Sequence, residues 1–305
     1  MAGLAFRSAP VRVRAPATSG NLGPAFDSAG LALGWYNDLV VRVVPSGLRV
    51  DLAGEGVDAL PRDEDNLVVR ALRAAFTALG GQPPGMEIIC ANRIPHERGL
   101  GASAAAICAG MVAARALTTS SADGRLSDEV ILRLATELEG HPDNVASCLH
   151  GGFTVAWTEA GGPQSVSLDP ASQITPIVCV PATPVTSATA RMMLPATVPH
   201  SDAVANAARA SLLVMALTTR PDLLFAATAD WLHQQYRSVV MPDTVTLIDR
   251  LRQQGVPAVI SGAGPSVLVL ATGNAAAAVA QAVENDWEVR RPGIDTSGAT
   301  ILSVD

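Results

Sequence analysis

Apolar residues recur along the chain with two different periods. Alternating or continuous apolar runs predict strands, and apolar positions spaced three and four apart predict helices. The predicted strands are 11–16, 31–35, 38–44, 48–52, 86–90, 151–157, 176–181, a hairpin over 258–270, and 300–304. The predicted helices are 67–76, 103–115, 130–138, 203–217, 223–236, 245–254 and 275–284. Asp63 or Asp65 is available to cap the first of these helices.

A break in this pattern divides the chain into two halves. Gly161-Gly162-Pro163 interrupts the strand signals, and a new strand pattern begins after residue 173. The chain has 305 residues, of which 49% are hydrophobic, so it is long enough to fill two cores. We therefore predict two domains, residues 1–165 and 166–305.

Charge and cysteine usage exclude several function classes. The net charge of -7 argues against a nucleic-acid or anionic-membrane partner, because either would repel an acidic protein. No apolar run approaches the roughly 18 uncharged residues of a membrane span, so a cytoplasmic protein is expected. Four scattered cysteines in apolar surroundings predict buried thiols rather than a disulfide framework or a zinc knuckle.

The chain contains no lysine, and all 21 of its Lys and Arg residues are arginine. A Walker-type phosphate loop, a pyridoxal-phosphate enzyme and a protein kinase each need a lysine. Any phosphotransferase with this sequence must therefore use other groups.

The segment 95–106 is a glycine-rich turn that enters an alanine-rich helix. Gly99 and Gly101 permit positive φ angles and close approach by a ligand. The following helix N-terminus offers unpaired amides and a partial positive charge. These features predict a phosphate cradle in which Ser103 reaches a phosphate oxygen or its magnesium ion. The alternative is an ordinary junction of loop and helix, with Ser103 as the cap.

Two other enzyme classes match this segment less well. The glycines satisfy the loose dinucleotide fingerprint, but the polar segment 92–98 separates them from the preceding strand, and Asp123 lies in a Ser/Gly-rich loop. A serine hydrolase needs its nucleophile between glycines on a sharp elbow, whereas alanines flank Ser103.

Polar residues cluster at two further places, the loop 17–27 and the segment 137–144. Glu137, His141 and Asp143 match no zinc spacing, and their oxygen atoms suit magnesium better. The alternatives are a solvated helix face for the glutamates and local turns for His141 with Asp143. Asn21 and Asp27 could likewise bond their own backbone in turns.

Three motifs in one order, 95–105, 137–144 and 261–266, resemble those of the GHMP kinases. Within that superfamily, residues 13–27 and 139–146 resemble the homoserine kinases, and the likeness covers nearly the whole chain. Ala102 departs from the family pattern, which usually has serine there. The resemblance implies an α+β fold, with a ribosomal-protein-S5-domain-2-like N-terminal domain and a ferredoxin-like C-terminal domain.

The resemblance also implies an activity, the transfer of the γ-phosphate of ATP to the side-chain hydroxyl of L-homoserine. Ser103 and Glu137 would hold Mg²⁺; Glu137 is preferred because it precedes His141 by four positions, although Glu139 is close enough to be confused with it. Asn144 would orient the acceptor hydroxyl, because an amide cannot take a proton at neutral pH. The implied ATP-binding residues are Asn66, at the adenine, and Pro95, Arg98, Gly99, Leu100, Gly101, Ala102, Ser103 and Ala104.

The implied substrate residues are Asn21, Asp27, His141, Asn144, Arg191 and Arg237. Homoserine carries an ammonium group that suits Asp27 and a carboxylate that suits arginine forks. A surface position is the ordinary alternative for each arginine. A GHMP kinase for another small alcohol, such as a mevalonate-type or sugar substrate, and a non-catalytic nucleotide or amino-acid sensor are the alternative functions. The sequence leaves a homodimer open.

Overall fold

The computed structural model of the chain describes residues 4–119, 126–273, 275–283 and 286–303. Asp123 lies outside the described residues, as do the last residues of the predicted helix 275–284 and of the predicted strand 300–304.

The described residues form eleven strands and ten α-helices. The strands are β1 (Val11–Ser19), β2 (Ala29–Val44), β3 (Gly47–Gly54), β4 (Gly85–Asn92), β5 (Phe153–Glu159), β6 (Gly162–Leu168), β7 (Thr175–Pro181), β8 (Ala258–Ile260), β9 (Val267–Ala271), β10 (Trp287–Arg290) and β11 (Thr300–Leu302). The helices are α1 (Leu67–Leu79), α2 (Ala102–Leu117), α3 (Asp128–Glu139), α4 (Asp143–His150), α5 (Ser187–Met192), α6 (His200–Thr218), α7 (Leu224–Ala227), α8 (Gln234–Arg237), α9 (Pro242–Gln253) and α10 (Ala275–Ala282). A 3₁₀ turn, Pro221–Leu223, precedes α7.

Seven strands form the larger sheet, in the order β11-β1-β2-β4-β3, with β5 paired to β2 and β6 paired to β5. Helix α2 packs against β1 and β2 and is flanked by α1, α3 and α4. Its residues are apolar all round because every face has a neighbour, and alanines let those neighbours approach closely. This central helix carries the glycine-rich turn at its N-terminus.

The smaller sheet has the order β10-β7-β9-β8 and is antiparallel throughout. Alternate residues of β7 belong to two different cores. Ile177 and Cys179 pack in a small core with α9 residues such as Leu251, whereas Val178 and Val180 pack in the large core. Successive strand side chains point to opposite faces, so one buried strand joins both cores.

The predicted helix 223–236 is wrong, because α7 and α8 are separate. The Asp230 carboxylate accepts hydrogen bonds from the backbone N–H groups of Leu232, His233 and Gln234. A side chain that takes these amides competes with a continuous helix.

Other element boundaries also differ from the predictions. The predicted strands 31–35 and 38–44 are one strand, β2, whose pairing with β1 shifts register where Pro16 meets Tyr36 and Ala17 meets Leu33. Gly34 lies within this irregularity, so it marks a bulge and not a break. Helices α4 and α5 and strands β6 and β10 were not predicted. Strand β11 pairs with β1, so the C-terminal end of the chain returns to the larger sheet; the division at residue 165 stays a prediction.

Candidate active site

A cleft of ≈ 280 Å³ lies between the glycine-rich turn, the junction of α3 and α4, helix α5 and the turn before β9. Most of the predicted site residues line it: Asn21, Pro95, Arg98, Gly99, Leu100, Gly101, Ala102, Ser103, His141, Asn144, Arg191 and Arg237. Four predicted residues, Asp27, Asn66, Ala104 and Glu137, are not among its lining residues, whereas Glu139 is. The fold thus gathers groups that are more than 200 positions apart in the sequence, since Asn21 and Arg237 both line the cleft.

The glycine-rich turn has the backbone conformation that its sequence predicts. Gly99 and Gly101 have φ angles of 67° and 66°. Helix α2 begins directly after Gly101, which makes no side-chain capping bond. Ser103 lies inside the first turn of α2, so it is not the N-cap residue. The first amides of α2 therefore lack a side-chain cap and can bind an anion.

The structure also shows what approaches these glycines. A Cβ atom on Gly99 would lie 2.0 Å from the Ser261 carbonyl oxygen, and one on Gly101 would lie 1.9 Å from Thr18 Oγ1. The atoms that approach these two glycines most closely therefore belong to the protein itself and not to a ligand. Arg98 supports the same turn by donating from Nε to the Pro181 carbonyl oxygen at 2.9 Å and from Nη2 to that of Ala182.

Ser103 faces Glu139 and not Glu137. Ser103 Oγ lies 2.6 Å from Glu139 Oε1, and it donates its hydrogen to that carboxylate. Burial raises the pKa of Glu139, and the Ser103 hydrogen bond opposes this. Glu137 is exposed and pairs with Arg133 at 3.3 Å. Residues two positions apart on a helix point roughly 200° apart, so only one of the glutamates can reach the cleft.

His141, Asp143 and Asn21 form a second contact network. Asp143 is fully buried; its Oδ1 lies 2.7 Å from His141 Nδ1, and its Oδ2 accepts the Asn21 backbone N–H at 3.0 Å. Burial alone would lower the pKa of His141, but the Asp143 contact and nearby Glu139 and Asp27 carboxylates raise it. Asn21 Oδ1 accepts the Asp27 backbone N–H at 2.8 Å, so Asn21 also holds its own loop.

Asn144 is held by its oxygen atom. Asn144 Oδ1 accepts from Thr18 Oγ1 at 2.8 Å and from the Gly20 backbone N–H at 3.1 Å. A backbone N–H can only donate, so the amide orientation is fixed and Nδ2 is left to face a ligand. At the cleft, Asn144 is therefore a hydrogen-bond donor.

Arg191 and Arg237 line the other end of the cleft, and Asp27 lies beside Arg191. Arg191 pairs with Asp27 through a fork with distances of 2.7 and 3.0 Å. Arg237 is 1% exposed, and its Nη1 donates to the Gly262 carbonyl oxygen at 3.1 Å. Both guanidinium groups lie over the Phe26 ring, at 5.3 and 5.4 Å from its centre. Arg237 is thus no surface residue.

The surroundings of Arg237 disfavour its positive charge. Burial and the neighbouring Arg191 lower the pKa of Arg237 to about 10, although the Asp27, Asp230 and Asp143 carboxylates oppose this. Arg237 Nε is buried, and among the described residues it makes no hydrogen bond. A buried unpartnered donor of this kind is stabilised by an anionic ligand.

Asn66 has a structural role. Its Oδ1 accepts the Val68 backbone N–H at 2.9 Å and its Nδ2 donates to the Pro61 carbonyl oxygen at 2.7 Å. Asn66 is therefore the N-cap of α1, and the predicted caps Asp63 and Asp65 are wrong. Both the oxygen and the nitrogen of the Asn66 side-chain amide are thus hydrogen-bonded to the backbone. The contact of Asn66 with adenine stays a prediction.

The residues of the cleft fit a magnesium ion. Ser103 Oγ and the Glu139 carboxylate are hard oxygen donors placed side by side at the start of α2. Asp27, His141 and Asp143 also lie within 4.8 Å of one another. However, the Asp27 carboxylate is paired with Arg191 and that of Asp143 with His141, so this second group is less available.

Three residues that contact site residues were absent from the sequence prediction. Thr18 bonds Asn144, Ser261 bonds the Gly99 carbonyl oxygen, and His233 bonds Arg237. Ser261 begins the motif 261–266, which was identified without a role, and Thr18 lies in the segment 13–27. No sequence signal singled out His233, because it lies inside the predicted helix 223–236.

Among the described helices, none is long and apolar enough to cross a membrane.

Comparison with known proteins gives consistent matches. Residues 66–152 match the model of the GHMP kinases N terminal domain, and residues 215–289 match that of the GHMP kinases C terminal domain. The chain is 60% identical to the homoserine kinase of Streptomyces coelicolor, over 99% of this chain and 97% of that protein. It is 46% identical to the homoserine kinase of Clavibacter michiganensis, over 97% and 95%. The crystal structure of homoserine kinase from Cytophaga hutchinsonii has a TM-score of 0.84 at 26% identity, covering 99% of this chain and all of that one.

Proposed function

Since the chain belongs to the GHMP kinases, and within them to the homoserine kinases, we propose that the cleft transfers the γ-phosphate of ATP to the side-chain hydroxyl of L-homoserine. The products are O-phospho-L-homoserine and ADP, in threonine biosynthesis. The predicted α+β GHMP kinase fold and the ATP-dependent kinase activity are confirmed. The observation that carries the site assignment is that one cleft is lined by both the glycine-rich turn and the arginines Arg191 and Arg237. With Asp27, which pairs with Arg191, the two arginines form a charged set for an amino acid.

The charged set suits a zwitterion. Nη1 takes both of the hydrogen bonds that the described residues make to the Arg237 guanidinium, which leaves the edge formed by Nε and Nη2. That edge is a planar fork, and a carboxylate matches it with two parallel hydrogen bonds. Asp27 and Arg191 form an ion pair beside this edge. The ammonium group of bound homoserine would pair with Asp27, and its carboxylate would bind Arg191 and Arg237.

The phosphate end suits ATP with magnesium. The amides of Gly99 to Ser103 would bind the phosphates at the start of α2. Ser103 and Glu139 would hold Mg²⁺; we replace Glu137 by Glu139 because only Glu139 contacts Ser103. When bound, the ion supplies charge neutralisation for the phosphates.

Asn144 is proposed to orient the acceptor hydroxyl. Its Oδ1 is occupied by Thr18 and Gly20, so only Nδ2 can contact the substrate, and it can only donate. A donor placed on the hydroxyl oxygen aligns it without removing its proton. No general base is assigned, and the proton can pass to the phosphate itself, because phosphoryl transfer depends mainly on positioning and charge neutralisation. A cytoplasmic location and a homodimer stay predictions.

A coupled ADP-release assay tests the function. With ATP and Mg²⁺, we expect kcat/KM for L-homoserine to exceed that for mevalonate or galactose by about 100-fold or more, because buried arginines left without a carboxylate penalise the other alcohols. Phosphorus NMR should show one new phosphomonoester. Comparable rates with mevalonate or galactose would favour a kinase for another small alcohol, and ATP binding without ADP release would favour a sensor.

A further inference from the structure

His233 is a fully buried imidazole whose two ring nitrogens each have a partner. Nε2 lies 2.7 Å from the Gly23 carbonyl oxygen, and Nδ1 lies 3.0 Å from Arg237 Nη1. A carbonyl oxygen can only accept, so Nε2 carries the hydrogen. A guanidinium can only donate, so Nδ1 accepts. The two neighbours therefore fix His233 as a neutral imidazole with its hydrogen on Nε2.

The surrounding chain holds the ring in this position. The Asp230 carboxylate accepts the backbone N–H of His233 at 3.1 Å and that of Gln234 at 2.7 Å, which shapes the turn before α8. On another side, the Phe26 ring lies 5.4 Å from the imidazole ring, centre to centre. The imidazole thus has little freedom to rotate away from Gly23 or Arg237.

His233 connects two parts of the substrate end of the cleft. Through Gly23 it contacts the loop that carries Asn21 and Asp27. Through Nδ1 it holds one nitrogen of Arg237, and the Gly262 carbonyl oxygen holds the same nitrogen. Together these two acceptors set the plane of the guanidinium and direct its Nε and Nη2 edge away from them.

We propose that His233 is a positioning residue for substrate recognition, which in its neutral form orients the Arg237 fork and ties it to the loop of Asn21 and Asp27. This inference rests on the proposed function, in which Arg237 binds the homoserine carboxylate. His233 itself contacts neither ATP nor the reacting atoms.

The same geometry makes substrate binding sensitive to acid. A protonated imidazole has no lone pair for Arg237 and adds a positive charge beside it. The charged groups that face the ring are Arg237, Asp230 and Asp27. Burial and Arg237 lower the pKa of His233, while the two carboxylates oppose this. The neutral form therefore predominates at neutral pH, and KM for homoserine rises as acid protonates the ring.

The test compares His233→Phe, which keeps a ring without hydrogen bonds, with His233→Gln, which keeps a donor and an acceptor but does not titrate. At pH 7.5 we expect His233→Phe to raise KM for L-homoserine about tenfold, because an arginine loses its acceptor, with KM for ATP unchanged. His233→Gln should recover part of that loss. As the pH is lowered, its KM for L-homoserine should rise less than that of the wild type, because the contribution of His233 is removed while His141, whose pKa is raised, still titrates in both enzymes. The exposed His200→Gln serves as the matched control and should keep the wild-type profile.

Two results would overturn the inference. One is a folded His233→Phe enzyme with the wild-type KM for L-homoserine. The other is a His233→Gln enzyme that keeps the wild-type rise of KM in acid, and this result decides the matter even if His233→Phe does not fold. Arg237→Lys separates the inference from its premise. If it raises KM for L-homoserine and His233→Phe does not, only the inference fails; if the wild type does not phosphorylate L-homoserine, the proposed function fails.

Discussion

At the scale of single residues, the environment decides which of two similar side chains belongs to the site. Glu137 and Glu139 both lie near the end of α3, and both are carboxylates. Glu139 contacts Ser103 at 2.6 Å, while Glu137 lies in solvent beside Arg133. An exposed pair of this kind contributes little to stability. The two glutamates therefore form a matched pair for mutation.

We predict that Glu139→Gln lowers kcat/KM for ATP by about 100-fold or more, because it removes a charge from the proposed magnesium site. Glu137→Gln should leave it within about twofold, since an exposed pair contributes little. Steady-state kinetics at several Mg²⁺ concentrations measure this, and only Glu139→Gln should require more Mg²⁺. Equal losses in the two variants would contradict the assignment of Glu139.

At the scale of the elements, the position of a helix end depends on which groups accept hydrogen bonds from its free backbone N–H groups. The Asp230 carboxylate accepts hydrogen bonds from three backbone N–H groups, and this separates α7 from α8. Asn66 Oδ1 accepts a hydrogen bond from the Val68 backbone N–H, so Asn66 caps the start of α1. The helix start at Leu67 was predicted correctly, but the predicted caps Asp63 and Asp65 were wrong. Three nearby residues can all cap, and the tertiary position of the loop 54–66 selects Asn66.

The cap of α1 should be measurable in stability. Asn66→Ala should lower the free energy of unfolding by about 1 kcal/mol, because Val68 loses its acceptor, and Asn66→Ser should keep most of it, because serine is a good cap. Urea unfolding of the two variants measures the difference. An alanine variant as stable as the serine variant would contradict the capping role. KM for ATP in the serine variant tests the predicted adenine contact: a rise would support that contact, and an unchanged KM would contradict it.

At the scale of the whole molecule, the turn before β9 is hydrogen-bonded to the glycine-rich turn. Ser261 Oγ donates to the Gly99 carbonyl oxygen at 2.7 Å and lies 2.9 Å from Ser19 Oγ. The Gly262 backbone N–H donates to the Gly20 carbonyl oxygen at 3.1 Å. The motif 261–266 therefore acts by supporting the turn that would bind phosphate.

Ser261→Ala should lower the free energy of unfolding by about 1–3 kcal/mol, because it leaves buried polar groups without a partner. It should also raise KM for ATP, since the glycine-rich turn loses its hydrogen bond from Ser261. Ser266 is the control: its Oγ is buried and, among the described residues, has no hydrogen-bond partner. Ser266→Ala should thus be neutral or stabilising. Thermal unfolding with ATP kinetics compares the two, and a destabilised Ser266→Ala with an unaffected Ser261→Ala would reverse the assignment.

The site was predictable to the extent that its residues lie in short motifs. Gly99, Gly101 and Ser103 were found together because they lie within five consecutive residues of one motif. Arg237 was found only through resemblance, since nothing in its neighbourhood in the sequence shows that it is 1% exposed. His233 was missed because its partners, Gly23 and Arg237, come from different parts of the chain.

The sequence by itself determined the alternation of strands and helices, the absence of lysine and hence of a Walker-type site, and the three motifs that resemble the GHMP kinases. These are local properties, set by side-chain periodicity and backbone preference. Only the tertiary structure decided that Glu139 and not Glu137 faces Ser103, that Asn144 presents a donor, and that His233 holds Arg237. Each of these depends on side-chain direction and on partners brought together by packing, which no short stretch of sequence contains.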